Sequence, residues 1–172
     1  MLIIYTGNGK GKTSACVGQA IRAYGHGFKV AFAQFMKRSV DAGEQMFLKE
    51  LLKDNFIAGG MGFFYTNKKI SQDTKNKHHD AAKDVLNWAK QHLETINMLI
   101  LDEAIYALGA NLISKAELEE IIELCTAKQV HLVLSGRNTP DWLIEKADLV
   151  SSIEELKHPY QKGIKAQQGI EF

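Results

Sequence analysis

The sequence predicts a three-layer α/β fold with a mostly parallel sheet, and three features support this prediction. Apolar runs at 29–35, 96–103 and 130–137 are uninterrupted rather than alternating, as expected for strands that are buried on both faces of a sheet. Segments with helical periodicity separate these runs, which is the order expected when helices join parallel strands. Charged or glycine-containing segments end or follow these runs, and ligands of such folds bind at the carboxyl ends of strands.

The predicted elements begin with a strand at 2–5 and a glycine-rich loop. In chain order, the next predicted elements are a helix at 13–24 that ends at the glycines of 25–27, a strand at 29–35, a helix at 44–52 and an irregular segment at 56–66. They are followed by a helix at 74–95, a strand at 96–103, a helix that begins at Ser114 and a strand at 130–137. The last two are a short helix that begins at Thr139 and Pro140 and a core strand at 147–153. Proline is expected in the first turn of that short helix.

Two local patterns support the helices. An S-x-x-E capping box, formed by Ser114 and Glu117, predicts the start of the helix that carries Leu118, Ile121, Ile122 and Cys125 on one face. A stripe of apolar residues at helical spacing predicts the buried face of the long helix: Ala82, Leu86, Ala89, Leu93 and Ile96.

The segment 56–66 is the least regular part of the chain. Its glycines stand beside Phe63, Phe64 and Tyr65. This composition predicts an aromatic loop, or a short strand that ends in one.

Composition limits the class of protein. A chain of 172 residues with 45% hydrophobic and 24% charged residues predicts a single domain over 1–172 with a sizeable core. The net charge of +1 argues against nonspecific binding to nucleic acid or to a membrane. No apolar run approaches the ~20 residues that span a bilayer, and the start lacks a charged leader, so we expect a cytoplasmic protein. Cys16 and Cys125 are expected to be reduced core residues.

The stretch TGNGKGKTS at 6–14 lies between the first strand and the first helix. A glycine-rich loop followed by Lys12 and Thr13 at a helix start is typical of a phosphate-binding loop, or P-loop. Backbone amides and the helix dipole attract phosphate there, Lys12 can reach its oxygens, and the Thr13 hydroxyl can bind Mg²⁺.

This loop departs from the general pattern G-x-x-x-x-G-K-[ST]. Thr6 stands where the first glycine is expected, and Lys10 adds a charge inside the loop. The alternative is a strand-to-helix turn that binds nothing. Several cations on one tight loop repel each other unless an anion is bound, so we favour the phosphate site.

Asp102 and Glu103 end the apolar strand at 96–103. A carboxylate at this place in a P-loop protein commonly holds nucleotide-bound Mg²⁺. The alternative is a solvated pair at a strand end. Because both motifs finish on the same edge of a parallel sheet, the pair and the loop together predict a nucleotide site.

No motif assigns a role in bond breaking. Glu103 is a candidate base, and Arg137, Arg22 or Arg38 could offset charge on a transferred phosphoryl group. Arg137, at a strand end, could contact phosphate or have a surface role. The histidines show no metal-binding spacing, and His78 is expected to be solvated with its neighbour near the start of the long helix. The segment 157–172 is either an exposed tail or folds back to bring its lysines, Lys157, Lys162 or Lys165, to an anionic ligand.

Taken together, the motifs TGNGKGKTSA, RAYGHG, QFMK, AGE, MGFFYT, LDEAIYAL, LSGRNTPDWLIEKADLV and KHPYQKGIKAQQGIEF resemble the P-loop type of corrinoid adenosyltransferase. The resemblance covers essentially the whole chain. It implies a RecA-like P-loop fold, a homodimer, and transfer of the 5′-deoxyadenosyl group of ATP to Co(I) of cobalamin or cobyrinic acid a,c-diamide, with release of triphosphate. A flavoprotein reductant is a further partner that it suggests.

The resemblance also implies site residues. It implies that Thr13, Asp102 and Glu103 bind Mg²⁺, with Glu103 favoured of the two carboxylates. It also implies that Lys12 acts in catalysis. ATP binding falls to the loop, at Gly7, Asn8, Gly9, Lys10, Gly11, Lys12 and Thr13.

Phe63 and Tyr65 match the aromatic pair that crowds the lower face of the corrin in the family. Displacing the lower ligand leaves cobalt four-coordinate and makes Co(II) easier to reduce. Tyr65 stands where the family has tryptophan, so its wedge is smaller and carries a hydroxyl. The alternative is that both residues pack the core.

Members often carry an N-terminal extension that caps the substrate site, whereas this chain starts at the first strand, so we expect a corrinoid site that is either more open or closed by another segment. Two other functions remain as alternatives. One is a P-loop ATPase or small-molecule kinase, and the other is a nucleotide-dependent corrinoid-binding module.

Overall fold

The structure, a computed structural model, describes residues 1–39, 42–62 and 71–171. Its centre is a six-stranded sheet in which every pairing of neighbours is parallel. The strands are β1 (Leu2–Thr6), β2 (Val30–Phe35), β3 (Phe56–Gly59), β4 (Met98–Asp102), β5 (His131–Ser135) and β6 (Leu149–Ser152). Their order across the sheet is β3-β2-β4-β5-β1-β6. The predicted three-layer α/β fold is confirmed.

Helices connect the successive strands, and two of them lie between β4 and β5. The helices are α1 (Lys12–Gly25), α2 (Gly43–Leu52), α3 (Gln72–His92), α4 (Ala104–Gly109), α5 (Lys115–Ala127) and α6 (Asp141–Lys146). Two short 3₁₀ turns occur at Lys53–Asn55 and Pro159–Lys162. Of the two possibilities left for 56–66, the described part forms the short strand β3.

Two apolar clusters cover the two faces of the sheet. Alternate residues of the central strands point to opposite faces, so Leu99 joins one cluster and Ile100 the other. Cys125 of α5 packs in the first cluster and Cys16 of α1 in the second. Both cysteines are buried and free, as predicted.

The local patterns that predicted two of the helices are confirmed. Ser114 accepts a hydrogen bond from the Glu117 amide (3.2 Å), and the Glu117 carboxylate accepts one from the Ser114 amide (2.7 Å). The stripe on the long helix is buried along its whole length, including the residues just beyond the helix end: Ala82, Leu86, Ala89, Leu93 and Ile96.

Three details of the prediction are wrong. β6 lies at an edge of the sheet, and Leu149 and Val150 are 43% and 38% exposed, so it is not a core strand. His78 is only 8% exposed, because α3 turns this position toward the protein, and burial lowers its pKa. Pro140 is the residue before the first turn of α6 rather than a member of that turn.

Among the residues that the structure describes, no helix is long and apolar enough to cross a membrane.

Candidate functional site

The carboxyl ends of the strands share one edge of the sheet, and a cavity of about 750 Å³ opens there. Its size falls within the range of small-molecule sites, ≈ 300–1,000 Å³. Described residues that line it are Gly9, Lys10, Gly11, Lys12, Thr13, Ser14, Lys37, Gly43, Glu44, Glu103, Tyr106, Arg137, His158, Gly169, Ile170 and Glu171. The cavity therefore joins the loop after β1 to residues that follow β2, β4 and β5.

Lys12 is held at the centre of the loop. Its side-chain nitrogen donates hydrogen bonds to the carbonyl oxygens of Gly7 (2.8 Å) and Gly9 (2.7 Å). The residue is 6% exposed. Burial lowers its pKa, and the nearby charge of Arg137 lowers it further. Gly11, with φ of 121°, makes the turn that starts α1 at Lys12, and this is a backbone angle that favours glycine.

Gly7 and Gly9 have a second role that the motif does not suggest. A Cβ atom on Gly7 would lie 2.4 Å from the Ile153 carbonyl oxygen, and one on Gly9 would lie 2.6 Å from that of Glu154. The Gly9 amide also donates to the Ile153 carbonyl at 2.8 Å. These glycines therefore let the loop pack directly on the backbone that follows β6.

Asp102 is fully buried and organises the floor of the site. It accepts hydrogen bonds from the hydroxyl of Thr13 (3.1 Å to Oδ2), from the hydroxyl of Ser135 (2.6 Å to Oδ1) and from the amide of Gln34 (3.2 Å to Oδ2). Because its oxygens already accept these bonds, Asp102 fixes the Thr13 hydroxyl rather than facing the cavity itself.

Glu103 faces the cavity from the next position. Its backbone is left-handed (φ 64°), which is uncommon for a residue with a side chain, and its amide donates to the Ser135 hydroxyl at 2.9 Å. Burial raises the pKa of its carboxyl, and the neighbouring Asp102 raises it further. A strained backbone and an acidic group with a perturbed pKa are both common at functional sites.

Lys37 and Glu44 form an ion pair on the cavity wall, with 2.8 Å between Nζ and Oε1. Partial burial favours the neutral form of Glu44, but the hydrogen bond and charge of Lys37 outweigh it, and the pKa is lowered overall.

The structure brings most of the predicted site residues together. Of the loop residues, Gly9, Lys10, Gly11, Lys12 and Thr13 line the cavity. Gly7 and Asn8 are not among its described lining residues, and neither is Asp102, which lies behind Thr13. Phe63 and Tyr65 lie outside the described residues.

Of the candidate arginines, Arg137 lines the cavity. Gly136 brings it there with a φ of 149°, and a Cβ atom on this glycine would lie 2.6 Å from the Tyr106 amide. Arg22 lies in the last turn of α1, far along the helix from the loop. Arg38 donates to the Met61 carbonyl instead (3.2 Å).

The end of the chain is exposed along most of 157–170, as the first of the two expectations had it, but parts of it also line the cavity. It reaches the cavity through His158 and 169–171 rather than through the lysines proposed for it, since Lys157, Lys162 and Lys165 are exposed and not among the described lining residues.

Sequence reasoning missed Lys37, Glu44, Tyr106 and Ser135. The rule that ligands bind at the carboxyl ends of parallel strands would have found Lys37 after β2 and Ser135 at the end of β5. Glu44 and Tyr106 sit on helices, and only the packing of α2 and α4 on the sheet brings them to the cavity.

The oxygen ligands at the site suit Mg²⁺. This cation prefers a few carboxylate or hydroxyl oxygens together with ligand phosphates. The Thr13 hydroxyl is fixed by Asp102, and the Glu103 carboxylate faces the same cavity.

The parallel sheet, the glycine loop that opens α1, and the buried carboxylate bound to Thr13 define a P-loop fold of the RecA-like type. Two solved structures resemble it in fold. The DNA-packaging ATPase of Sulfolobus Turreted Icosahedral Virus aligns with a TM-score of 0.58 at 14% identity, over 95% of this chain and 80% of that one. A KaiC-like protein from Pyrococcus horikoshii aligns with a TM-score of 0.52 at 16% identity, over 91% and 74%. These likenesses concern the fold alone.

Sequence similarity is more specific. The model of a family described as "ATP:corrinoid adenosyltransferase BtuR/CobO/CobP" matches residues 1–172. A corrinoid adenosyltransferase of a Sinorhizobium species is 38% identical over 177 residues, covering 100% of this chain and 80% of that protein. One from Escherichia coli K12 is 34% identical over 178 residues, covering 100% and 85%. The chain therefore belongs to the ATP:corrinoid adenosyltransferase family, a family of alkyl-group transferases.

Proposed function

We propose that this protein transfers the 5′-deoxyadenosyl group of ATP to Co(I) of a corrinoid and releases triphosphate. The observation that carries the proposal is the convergence of cations on one cavity. Lys10, Lys12, Lys37 and Arg137 line it together with Glu44, Glu103 and Glu171. The cations around the loop and after β2 and β5 outnumber the carboxylates and would stabilise a highly charged anion. Family membership supports the identity of the two substrates.

The reaction balances without a proton acceptor. The cobalt of the corrinoid supplies an electron pair to C5′ of the ribose, a Co–C bond forms, and cobalt passes formally from Co(I) to Co(III). The C5′–O bond breaks, and triphosphate leaves with the electrons of that bond. Because the attacking cobalt carries no proton, the site needs charge stabilisation of the leaving group more than it needs a base.

The loop residues have distinct roles in this proposal. Lys12 is fixed between two carbonyl oxygens, so its charge is oriented before the substrate binds. Lys10 is exposed at the cavity wall and adds a second charge. The amides at the start of α1 bind phosphate oxygens through their N–H groups.

Thr13 and Glu103 would hold Mg²⁺, with Asp102 acting through the Thr13 hydroxyl. When bound, Mg²⁺ neutralises part of the triphosphate charge. We retain Glu103 as the favoured carboxylate, because Asp102 is fully buried behind Thr13.

We further propose that Phe63 and Tyr65 crowd the lower face of the corrin, that the protein acts as a homodimer, and that a flavoprotein supplies the electron. For the aromatic pair, Phe63→Ala should slow the reaction that starts from Co(II) more than the reaction from chemically prepared Co(I). Equal losses in the two assays would argue against a role at the lower face.

The alternative with structural support is a P-loop ATPase or small-molecule kinase. Glu103 faces the cavity and its carboxyl has a raised pKa, as suits a general base. The products distinguish the two functions. Adenosyl transfer yields triphosphate and an alkylated corrinoid, whereas hydrolysis or phosphoryl transfer yields ADP.

The test is incubation with MgATP and chemically reduced cobalamin, followed by absorption spectroscopy for adenosylcobalamin and an assay for triphosphate. Lys12→Ala should abolish turnover, because the charge at the centre of the loop is lost. Lys75→Ala, an exposed lysine of α3, should be unchanged and serves as the control. If the wild-type protein forms no adenosylcobalamin from Co(I), or forms ADP in its place, the proposed function is wrong.

A further inference from the structure

We propose that Lys37 is a triphosphate-binding residue and that Glu44 positions it. The inference rests on the proposed function, because it assigns a contact to the group that leaves in that reaction. It draws on the turn after β2, on α2 and on the contacts between them, none of which belongs to the P-loop motif.

The backbone before Lys37 is held in an unusual turn. Met36 is left-handed (φ 58°) and 4% exposed, and its amide donates to the Gly59 carbonyl at 3.1 Å. A Cβ atom on Gly60 would lie 2.5 Å from Met36 Cα, so β2 and the end of β3 meet closely here. A left-handed residue that carries a side chain is strained, and such strain persists where the surrounding structure fixes the conformation. The result is that the chain leaves β2 with Lys37 at the cavity.

The Lys37 side chain is held by a network that starts in the core. Its nitrogen lies 2.8 Å from Glu44 Oε1 and 3.8 Å from Asp102 Oδ2. The amide of Gln34 bridges the same two carboxylates, at 3.1 Å from Glu44 and 3.2 Å from Asp102. Gln45 in turn donates to the Gln34 side-chain oxygen at 2.9 Å.

This network fixes Glu44 in place. Gln34 is fully buried and Gln45 is 3% exposed, so both amides have little freedom to move. The Glu44 carboxylate oxygen that accepts the hydrogen bond from Lys37 is therefore held in one position. A charge that is oriented before its ligand arrives loses little entropy on binding.

Lys37 remains available to a ligand. Its side chain is 25% exposed and that of Glu44 is 23% exposed, and both line the cavity with Lys12 and Arg137. An ammonium group has three N–H donors. Among the described residues only Glu44 lies within hydrogen-bond distance of it. The other donors can bind phosphate oxygens in the cavity.

The expected effect follows from the charge that develops in the reaction. When the C5′–O bond breaks, negative charge accumulates on the triphosphate, and a fixed cation stabilises that state more than the ground state. Loss of Lys37 should therefore weaken binding of free triphosphate and lower kcat. Loss of Glu44 should lower kcat only through Lys37.

The first experiment measures binding of inorganic triphosphate by titration calorimetry, at fixed Mg²⁺, with adenosine in a separate titration. Lys37→Met should weaken triphosphate binding about 10- to 100-fold, the range for a lost hydrogen bond between charged groups, and leave adenosine binding unchanged. Lys37→Arg should retain most of the affinity. Lys49→Met, an exposed lysine of α2, is the matched control and should bind as the wild type does.

If Lys37→Met unfolds, Lys37→Gln is measured in its place, since it retains a hydrogen-bond donor beside Glu44 without the charge. Wild-type affinity for triphosphate in either folded variant would overturn the proposal and would leave Lys37 a partner of the acidic cluster alone.

The second experiment is a double-mutant cycle on kcat. Glu44→Gln should lower kcat in the wild-type background and leave it unchanged in the Lys37→Met background, because a positioning residue has no effect once its partner is gone. Additive losses would show that Glu44 does not act through Lys37.

The outcome is separable from that of the proposed function. If the wild type forms no adenosylcobalamin and Lys37→Met still binds triphosphate more weakly, the proposed reaction is wrong but the proposed binding role of Lys37 is supported. If adenosyl transfer occurs and Lys37→Met binds triphosphate as the wild type does, the reaction holds and the role of Lys37 is wrong.

Discussion

Gly9 distinguishes two explanations for the glycines of the loop. If glycine is needed only to admit phosphate, Gly9→Ala should leave the stability of the ligand-free protein unchanged and reduce ATP affinity. If glycine is needed to pack the loop on the backbone after β6, the same substitution should destabilise the protein even without ATP. The structure favours the second explanation.

The magnitude follows from the contacts. The new Cβ would lie 2.6 Å from the Glu154 carbonyl oxygen and 2.8 Å from that of Ile153, where ordinary contact begins at 3.4 Å. The backbone must therefore move by roughly 0.8 Å, which also disrupts the 2.8 Å bond from the Gly9 amide to Ile153. Overpacking costs about 1–3 kcal/mol and the hydrogen bond about 1 kcal/mol, so we expect a loss of about 2–4 kcal/mol.

The assay is thermal unfolding without nucleotide, followed by ATP titration. At about 2–4 °C per kcal/mol for a chain of this size, Gly9→Ala should lower Tm by roughly 4–16 °C. Gly18→Ala is the control. A Cβ there meets nothing within 4 Å, and alanine favours a helix interior by about 0.5–1 kcal/mol, so Tm should rise slightly. A wild-type Tm for Gly9→Ala would refute the packing explanation.

Two further predictions concern the carboxylates. Ser135→Ala removes a 2.6 Å donor to buried Asp102 and the acceptor of the Glu103 amide. The substitution should lower the free energy of unfolding, measured with urea, by about 2–4 kcal/mol. Ser151→Ala on the exposed strand β6 is the control and should change it little. Equal losses in the two variants would contradict this account. Burial raises the pKa of Glu103, so ionisation of this carboxyl destabilises the folded state as pH rises from its unfolded pKa to its folded one. Glu103→Gln should therefore raise Tm at pH 7. This gain in Tm should vanish below about pH 4, near the ordinary pKa of a glutamate. A gain that does not depend on pH would argue against this cause.

The fold could be predicted from the sequence because its signals are local. The run at 96–103 is apolar from Met98 to Leu101 before it ends in two carboxylates, and it forms β4. Ser114 and Glu117 mark the start of α5. The edge position of β6 could not be predicted, because an apolar run does not show whether its strand is central or at an edge of the sheet. The burial of His78 could not be predicted, because the packing of a helix decides whether a position near its start is exposed or buried.

The site was predictable where chemistry and sequence position coincide. Lys12, Thr13 and the Asp102–Glu103 pair each stand in a recognisable motif. The structure places Lys12, Thr13 and Glu103 on one cavity, with Asp102 buried behind Thr13. Glu44 could not be found in this way, because its place depends on how α2 packs beside β2. The packing role of Gly9 depends on a contact with Glu154, distant in sequence.

The exposed edge strand is therefore part of the support of the site. β6 pairs with β1 so that Thr6 lies beside Ser152, and the chain continues from there into the backbone that touches Gly7 and Gly9. The Ile153 amide donates to the Thr6 carbonyl at 2.9 Å, and the Ile153 carbonyl accepts from the Gly9 amide. The loop is therefore hydrogen-bonded to Ile153 on both sides of Gly7. Because of these bonds, displacement of β6 must also displace the loop amides that would bind phosphate.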